Sequence, residues 1–392
     1  MNSSEGKNTV PDMPRAEKVL NSMRWLPAYV WQRMTRTLSR VGQRHLIFAL
    51  ADHFEPSFLP ETPDRWGPRD VQQQRLERWC RAYPKAFDAW RDSAGFPFVH
   101  TYFYPADQYD PALLERLAEH CHAGWGEIEI QLHHGVDAPD TAENTRRQLI
   151  EFRDSLANLG CLSRAPGDQE PRYGFVHGNW ALANSCGGRC CGVDEEMQIL
   201  AKTGCFADFT LPSAPNAAQI AKINLLYECG LPLTSRAAHR RAKPLRSGHP
   251  PNTFPLIVEG PLLIDFGKRE KGRLPVKIEN AAVTGPNPPS LRRLQLWMRA
   301  AITVGGRPDW LFIKLHCHGM DPRDESSMVG EAAQHFMGEL MGWVRENPVN
   351  RLHFVTGREM VNIALAAADG NEGNPSDYRD YWFQPQRPRP QP

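Results

Sequence analysis

Short apolar runs alternate with polar clusters and helix-like segments between residues 45 and 367. The interpreted strands are 45–51, 98–104, 127–132, 173–177, 205–211, one or two strands within 255–266, 310–315 and 351–356. Strands that alternate with helices predict a parallel sheet, and continuous apolar runs are typical of strands buried on both faces. Seven or eight such units over about 310 residues favour an α/β fold that closes into a (β/α)7-8 barrel in one large domain. An open doubly wound sheet is the alternative, although no strand is followed by a glycine-rich phosphate loop.

Helix signals fill the intervals between several of these runs. A helix is predicted over 111–122, and another begins where Asp140 serves as N-cap with Glu143 three positions later. A third helix begins near Asp194 and ends at Gly204. The last helix is predicted from Arg358 to Ala367.

Three regions of the chain differ in character. Residues 1–41 form an N-terminal extension with an amphipathic helix over 16–41, kinked or split at Pro27. We expect this helix to pack on the domain, and peripheral contact with a membrane surface or a partner is the alternative. Residues 42–366 form the barrel, with a Pro-rich insertion or lid at about 213–254. Residues 367–392 are a Pro- and Gly-rich C-terminal tail, expected outside the core.

Composition narrows the function classes. A net charge of +1 over 392 residues argues against a nucleic-acid binder. The sequence has no apolar run long enough for a transmembrane segment and no apolar core of a signal peptide near its start, which predicts a cytoplasmic protein. Nine cysteines, an odd number, fit reduced thiols better than a disulfide framework.

Polar residues follow six of the apolar runs, and barrel enzymes carry their reactive groups at the carboxyl ends of strands. Closure of the barrel is expected to turn His53, His133, His177 and His316 toward one mouth. Imidazole together with carboxylate is the ligand set of zinc and similar divalent ions. Such an ion activates water and polarises a carbonyl oxygen, which predicts a hydrolase.

Individual roles follow with alternatives left open. Asp52 fits a general base, and His316 or His318 fits a general acid. His133 and His134 are adjacent on a strand and point to opposite faces, so at most one of them is expected to be catalytic.

Two further groups of residues have structural alternatives. Asp208 is either a site residue or the partner of a buried Arg or Lys. Cys186, Cys190 and Cys191 lack the paired spacing of a zinc finger, so scattered thiols are favoured over a structural metal.

Four stretches resemble the NodB-type polysaccharide deacetylase superfamily of carbohydrate esterases. The longest is FVHTYFYPADQYDPALLERLAEHCHAGWGEIEIQLHHGVD at 98–137. The others are LADHFEP at 50–56, FIKLHCHGM at 312–320 and RLHFVTGREM at 351–360. The family fold is a distorted (β/α)7 barrel, and its reaction is metal-dependent hydrolysis of an N-acetyl group.

The resemblance implies roles residue by residue. Asp52 matches the catalytic base and His316 the late general acid. His53 stands at a metal-ligand aspartate, His133 at the first histidine of an H-x3-H motif, and Asp137 at the second. In this alignment, His134 is an alternative ligand to Asp137.

The chain departs from the family at the strand that begins near residue 173. YGFVHGNWALANS at 173–185 replaces the family's Arg-x-Pro-Tyr-Gly motif. We expect the substrate-binding residues to be His177, Asn179, Trp180, Asp208 and His318, with Trp180 as a stacking platform.

The leading hypothesis is a metal-dependent deacetylase that uses a divalent metal, most simply zinc, on an acetylated carbohydrate or a related small amide. A different barrel metal hydrolase, of the amidohydrolase or phosphodiesterase type, is one alternative. The other is a degenerate barrel that binds glycan without turnover, because positions 53 and 137 depart from the family pattern.

Overall fold

A computed structural model describes residues 15–36, 42–62, 66–267 and 276–388. The helices are α1 (Arg15–Met23), α2 (Leu26–Thr35), α3 (Arg69–Phe87), α4 (Pro111–His120), α5 (Ala142–Asn158), α6 (Glu196–Lys202), α7 (Leu291–Arg299), α8 (Glu325–Met328), α9 (Glu331–Glu346) and α10 (Gly357–Ala368). The strands are β1 (Arg44–His53), β2 (His100–Pro105), β3 (Gly126–Leu132), β4 (Ser163–Arg164), β5 (Tyr173–His177), β6 (Cys205–Asp208), β7 (Leu226–Cys229), β8 (Ala242–Pro244), β9 (Leu256–Val258), β10 (Leu263–Phe266), β11 (Val276–Glu279), β12 (Trp310–Cys317), β13 (Asn350–Phe354) and β14 (Gln384–Pro385).

The chain is a mixed α/β domain with a large, mostly parallel central sheet. Ten strands make this sheet, in the order β12-β1-β2-β3-β5-β6-β9-β7-β8, and β13 also pairs with β1. The antiparallel pairings in this sheet are β7 with β8 and β7 with β9, as far as the described residues show. The predicted parallel α/β fold is therefore confirmed, and the predicted strands coincide with the main strands of the sheet.

The two faces of β1 pack against different surroundings. Leu46, Phe48 and Leu50 belong to a hydrophobic cluster with side chains of α3, α4, α5, α7 and α9, and we call this side the outer face. Ile47 and Ala51 belong to a second cluster, with Phe103, Val176 and Phe312 from neighbouring strands, and we call this side the inner face. Successive residues of a strand alternate between these faces.

The N-terminal extension forms two helices instead of one. α1 ends at Met23 and α2 begins at Leu26, because Pro27 in its first turn cannot continue the preceding hydrogen-bond ladder. Trp25 and Tyr29 are buried in the domain, as predicted for a packed helix. Among the described residues, no helix is long and apolar enough to cross a membrane.

Two predicted peripheral segments are part of the packed structure. The 213–254 insertion supplies β7 and β8 to the edge of the central sheet. The expected C-terminal tail returns to the domain, since Phe383 is buried and its carbonyl accepts a hydrogen bond from Asn362 Nδ2 at 2.8 Å. Arg379 is also buried and donates to Asp92 Oδ2 at 2.9 Å. These polar contacts hold a Pro-rich segment that its composition alone places outside the core.

Candidate metal centre at the strand ends

The alternation of β1 separates the two residues expected to work together at its end. Asp52 faces outward and is completely buried; its Oδ2 lies 3.0 Å from His100 Nδ1, and its Oδ1 accepts from Gly319 N at 2.6 Å. Cys317 completes this outer group. His53 faces inward, toward His318. The expectation that Asp52 lies in the same mouth as His53 is therefore wrong.

Three inner-face side chains converge beyond the end of β1. His53, Glu55 and His318 each offer a ligand atom within 4.8 Å of the other two. The rings of His53 and His318 have centroids 4.9 Å apart. In the described part of the chain, His53 Nδ1 is buried without a hydrogen-bond partner. Burial, reinforced by nearby positive groups including His318, holds the pKa of His53 well below its ordinary value. This inner cluster can hold a metal ion.

His133 contacts the inner cluster through Glu55, and a carboxylate lies at each of its two ring nitrogens. Its Nε2 lies 3.3 Å from Glu55 Oε1 and its Nδ1 lies 3.1 Å from Asp107 Oδ1. Gln131, two residues earlier on β3, donates to the same Glu55 oxygen at 2.5 Å. Burial opposes a charge on His133, but Asp107 and Glu55 together raise its pKa to about 10. Burial alone would raise the pKa of Glu55, whereas its contacts with His133 lower it.

No family model, curated protein or solved structure matches this chain. The chemistry of the inner cluster is therefore inferred from its own geometry and from the resemblance of sequence motifs.

Two further β12 residues lie on the inner face below the cluster. The ring of His316 is 6.4 Å from that of His53, and burial lowers the pKa of His316 well below its ordinary value. Lys314 Nζ is buried and donates to the carbonyls of Phe209 and Leu211 at 2.7 and 2.6 Å. Burial lowers the pKa of Lys314 to about 7, although Asp208 and Glu259 oppose that shift.

Asp208 is a buried residue of β6. The structure agrees in part with the alternative that it accompanies a buried lysine. Its carboxylate accepts from the hydroxyl and the backbone N–H of Thr210 at 2.7 and 3.1 Å. Burial raises its pKa to about 7, against the opposing effects of Thr210 and the positive charge of Lys314. Lys314 is thus the buried lysine whose charge acts on Asp208, and a role of Asp208 toward a substrate stays a prediction.

A second group of ligand-capable side chains, which we call the outer cluster, lies on the outer face and is separate from the group of Asp52. His134, His177, Cys191 and Glu196 are all buried, and each offers a ligand atom within 4.8 Å of the other three. The rings of His134 and His177 have centroids 4.9 Å apart. Burial lowers the pKa of His177 to about 3. The expectation that His177 shares one mouth with His53, His133 and His316 is wrong, because His177 ends β5 on the opposite face.

The predicted cap of α5 is also corrected here. Thr141 is the N-cap, and its side chain accepts from Asn144 N at 3.2 Å. Asp140 instead directs Oδ2 to His134 Nδ1 at 3.0 Å and accepts from Thr145 Oγ1 at 2.8 Å. The carboxylate of Asp140 therefore lies behind the ring of His134, a member of the outer cluster.

The remaining predicted site residues lie outside both clusters. Asp137 is exposed in the segment after β3, so the structure does not bring it to His53 and His133 as a ligand. Asn179 and Trp180 are half-buried in the turn after β5, and Asn179 N donates to His177 Nδ1 at 3.3 Å. Their role toward a substrate stays a prediction.

Three residues in or beside the two clusters had no assigned role in the sequence interpretation. Glu55 lies two residues after His53, so the strand period could have placed both on one face. Asp107 follows the next strand in the order of the sheet. Glu196 lies in α6, and the sequence carries no signal that would bring this glutamate to His134.

Proposed function

We propose that this protein is a metal-dependent hydrolase centred on His53, Glu55 and His318. The observation that carries the proposal is the convergence of these three ligand side chains at the carboxyl ends of β1 and β12. Reactive groups of β/α enzymes lie at these strand ends. The inward His53 Nδ1, buried without a partner among the described residues, fits a position intended for a ligand bond.

The donor set fits a catalytic divalent ion, most simply zinc. Two imidazoles and one carboxylate give the three protein ligands of a catalytic zinc site, which needs a further position for water or substrate. When bound, the ion supplies Lewis acidity that activates water and polarises a carbonyl oxygen.

His133 is the residue that would move a proton in this site. Its Nε2 reaches the Glu55 carboxylate at the edge of the cluster, while Asp107 holds its Nδ1. The proton on Nε2 faces Glu55 and can be passed to a leaving group. Although burial opposes the charge, Asp107 and Glu55 raise the pKa of His133 to about 10, so the ring carries a proton and fits a general acid, the role that the sequence pattern gave to His316 or His318.

The substrate class rests on the resemblance to the polysaccharide deacetylases. We propose an N- or O-acetylated sugar or a related small amide, with acetate as one product. The same proposal includes closure of the sheet into a distorted barrel. Its support is that Lys314 of β12 donates to Phe209 and Leu211, which follow β6 on the far side of the strand order.

One observation favours a second candidate, a barrel that binds metal and glycan without turnover. The aspartate that matches the family's base is held on the outer face by His100 and Gly319. From that position, Asp52 cannot accept the proton of a water that attacks at the inner cluster.

Metal analysis and an acetate assay test these candidates on the full chain. After loading with zinc, cobalt or nickel, we expect acetate release from an N-acetyl sugar panel. His53→Ala and His318→Ala should each lose one metal equivalent and the activity. His335→Ala, on the exposed surface of α9, is the matched control.

The outcomes separate the alternatives. Metal without acetate release supports the non-catalytic binder, and release of the alcohol from a phosphodiester in a parallel assay supports the other hydrolase class. Unchanged metal content in both histidine variants would overturn the assignment of the centre.

A further inference from the structure

We propose that His134, His177, Cys191 and Glu196 form a second metal site, structural in kind, which takes zinc or a similar thiophilic divalent ion. The four side chains come from four segments: the end of β3, the end of β5, the loop before α6, and α6 itself. This proposal goes beyond the hydrolase function and does not depend on it.

The distances in this outer cluster suit a single small ion. His134 Nε2 lies 3.0 Å from Glu196 Oε1, and His177 Nε2 lies 3.9 Å from the same oxygen. Cys191 Sγ is 3.6 Å from the other Glu196 oxygen. Ligands of a tetrahedral zinc ion are separated by about 3.3–3.8 Å, given bonds of about 2.0–2.3 Å. Small shifts of the side chains would therefore complete the coordination.

A buried atom without a partner points into the cluster. His177 is fully buried, and its Nε2 makes no hydrogen bond within the described residues. Leaving such a buried polar atom unpaired destabilises a fold, so an ordinary packing role accounts poorly for it. A metal ion within reach of this nitrogen would satisfy it.

The surroundings support His134 as a ligand. Asp140 Oδ2 lies 3.0 Å from His134 Nδ1, and Thr145 Oγ1 fixes that carboxylate. A carboxylate behind the ring is the usual outer partner of a metal-bound histidine, because it sets the tautomer and the orientation. The partner is already in place here.

The number and charge of the ligands indicate a structural site. Four protein ligands fill a tetrahedral ion and leave no position for a substrate, unlike the three ligands of the inner cluster. Two neutral imidazoles, one thiolate and one carboxylate balance a divalent charge. Binding would release to solvent the Cys191 thiol proton and the proton between His134 Nε2 and Glu196.

The ion would anchor a loop that has little regular structure. The segment between β5 and α6 contains four residues besides glycine with positive φ angles, namely Trp180, Ala183, Asn184 and Cys190. Asp140 N donates to Cys191 O at 2.7 Å, which brings this segment against the turn after β3. Metal coordination would join that loop to β3, β5 and α6.

Cobalt substitution of the full chain tests the site apart from the inner cluster. The inner ligands contain no sulfur, so a near-ultraviolet sulfur-to-cobalt charge-transfer band arises outside the inner cluster, and the cysteine variants assign it to Cys191. We expect about one thiolate-bound cobalt per chain, with the intense visible bands of tetrahedral coordination. Cys191→Ser should abolish the charge-transfer band, and the neighbouring Cys190→Ser should keep it. His53→Ala should also keep it.

Several results would overturn the proposal. They are the absence of the charge-transfer band in the wild-type chain, its survival in Cys191→Ser, or its loss in Cys190→Ser with Cys191 intact. X-ray absorption of the zinc-loaded double variant His53→Ala, His318→Ala gives a second measurement that needs no change at Cys191. One sulfur and three nitrogen or oxygen neighbours are expected, and no sulfur neighbour would refute the site.

Discussion

Asp52 and His53 are adjacent in sequence, yet they serve opposite faces of the sheet. Asp52 Oδ2 lies 3.0 Å from His100 Nδ1 on the outer face, while the His53 ring lies 4.9 Å from that of His318 on the inner face. Asp52 is therefore a buried structural carboxylate, and His53 is a candidate metal ligand.

Asp52→Ala should destabilise the fold without removing the inner metal. The substitution leaves the Gly319 N–H and the His100 ring without their partner, at a cost of about 1–3 kcal/mol for each buried polar group. Denaturant unfolding should show a loss of about 2–6 kcal/mol, and metal analysis of the folded fraction should match wild type. If the variant lost the inner metal and kept its stability, Asp52 would instead belong to the inner metal centre.

Asp107→Asn should impair turnover while the metal stays bound. Asp107 holds His133 Nδ1 at 3.1 Å, so an amide in its place would disturb the orientation and the tautomer of the His133 ring. Partners of this kind change activity by about 10–100-fold. We expect the change in kcat, with KM and metal content preserved, and a shifted pH–rate profile.

The variant Asp107→Glu is the conservative rescue, because it keeps the carboxylate at this position. Its kcat should exceed that of Asp107→Asn. Equal activity of the two variants would leave Asp107 without a role in positioning His133.

Glu127→Gln should strongly destabilise the protein. Glu127 Oε1 lies 2.7 Å from Arg358 Nη2, and its Oε2 accepts from Thr356 Oγ1 at 2.7 Å, all in the buried interior. Breaking a buried pair by removing one partner costs about 3–5 kcal/mol, and we expect the lower end of that range because Asp380 Oδ1 still lies 2.7 Å from Arg358 Nη1. Urea unfolding measures this loss.

The exposed pair of Arg147 and Glu151 is the matched control. Its two side chains are 56% and 62% exposed, and their N–O distance is 2.9 Å. Glu151→Gln should change the free energy of unfolding by less than about 0.5 kcal/mol. A comparable loss in both variants would contradict the distinction between buried and exposed pairs here.

Acid should destabilise the protein through the buried pair of His45 and His353. Their ring nitrogens are 2.8 Å apart, and burial lowers the pKa of His45 to about 4 and that of His353 to about 2. An unfolded histidine takes up its proton near pH 6.5, whereas these stay neutral in the folded state. The contribution of these two neutral histidines to the free energy of unfolding is therefore fully present above about pH 6.5, and it is lost as the pH drops toward 4.

Each such histidine contributes a slope of about 1.4 kcal/mol per pH unit. His45→Gln should reduce the slope of unfolding free energy between pH 6 and pH 4.5 by about this amount. His335→Gln, on the exposed surface of α9, should leave the slope unchanged. An unaltered slope in His45→Gln would show that His45 is protonated in the folded state.

The amino-acid sequence determined the strands, their parallel arrangement and the presence of histidines at their ends. Apolar runs such as 45–51 and 310–315 predict β1 and β12, and His53 and His318 follow from their ends. The sequence also determined that adjacent residues such as His133 and His134 diverge, because a strand alternates its side chains.

Only the tertiary structure decided which face each histidine serves. β1 is buried along nearly its whole length, so its hydrophobic pattern does not distinguish an inner from an outer face. The partners of His134 had to come from α6 and the loop before it, where Cys191 and Glu196 carry no spacing signal. Long-range packing brings these groups together. A local pattern in the chain does not encode which distant segments come into contact.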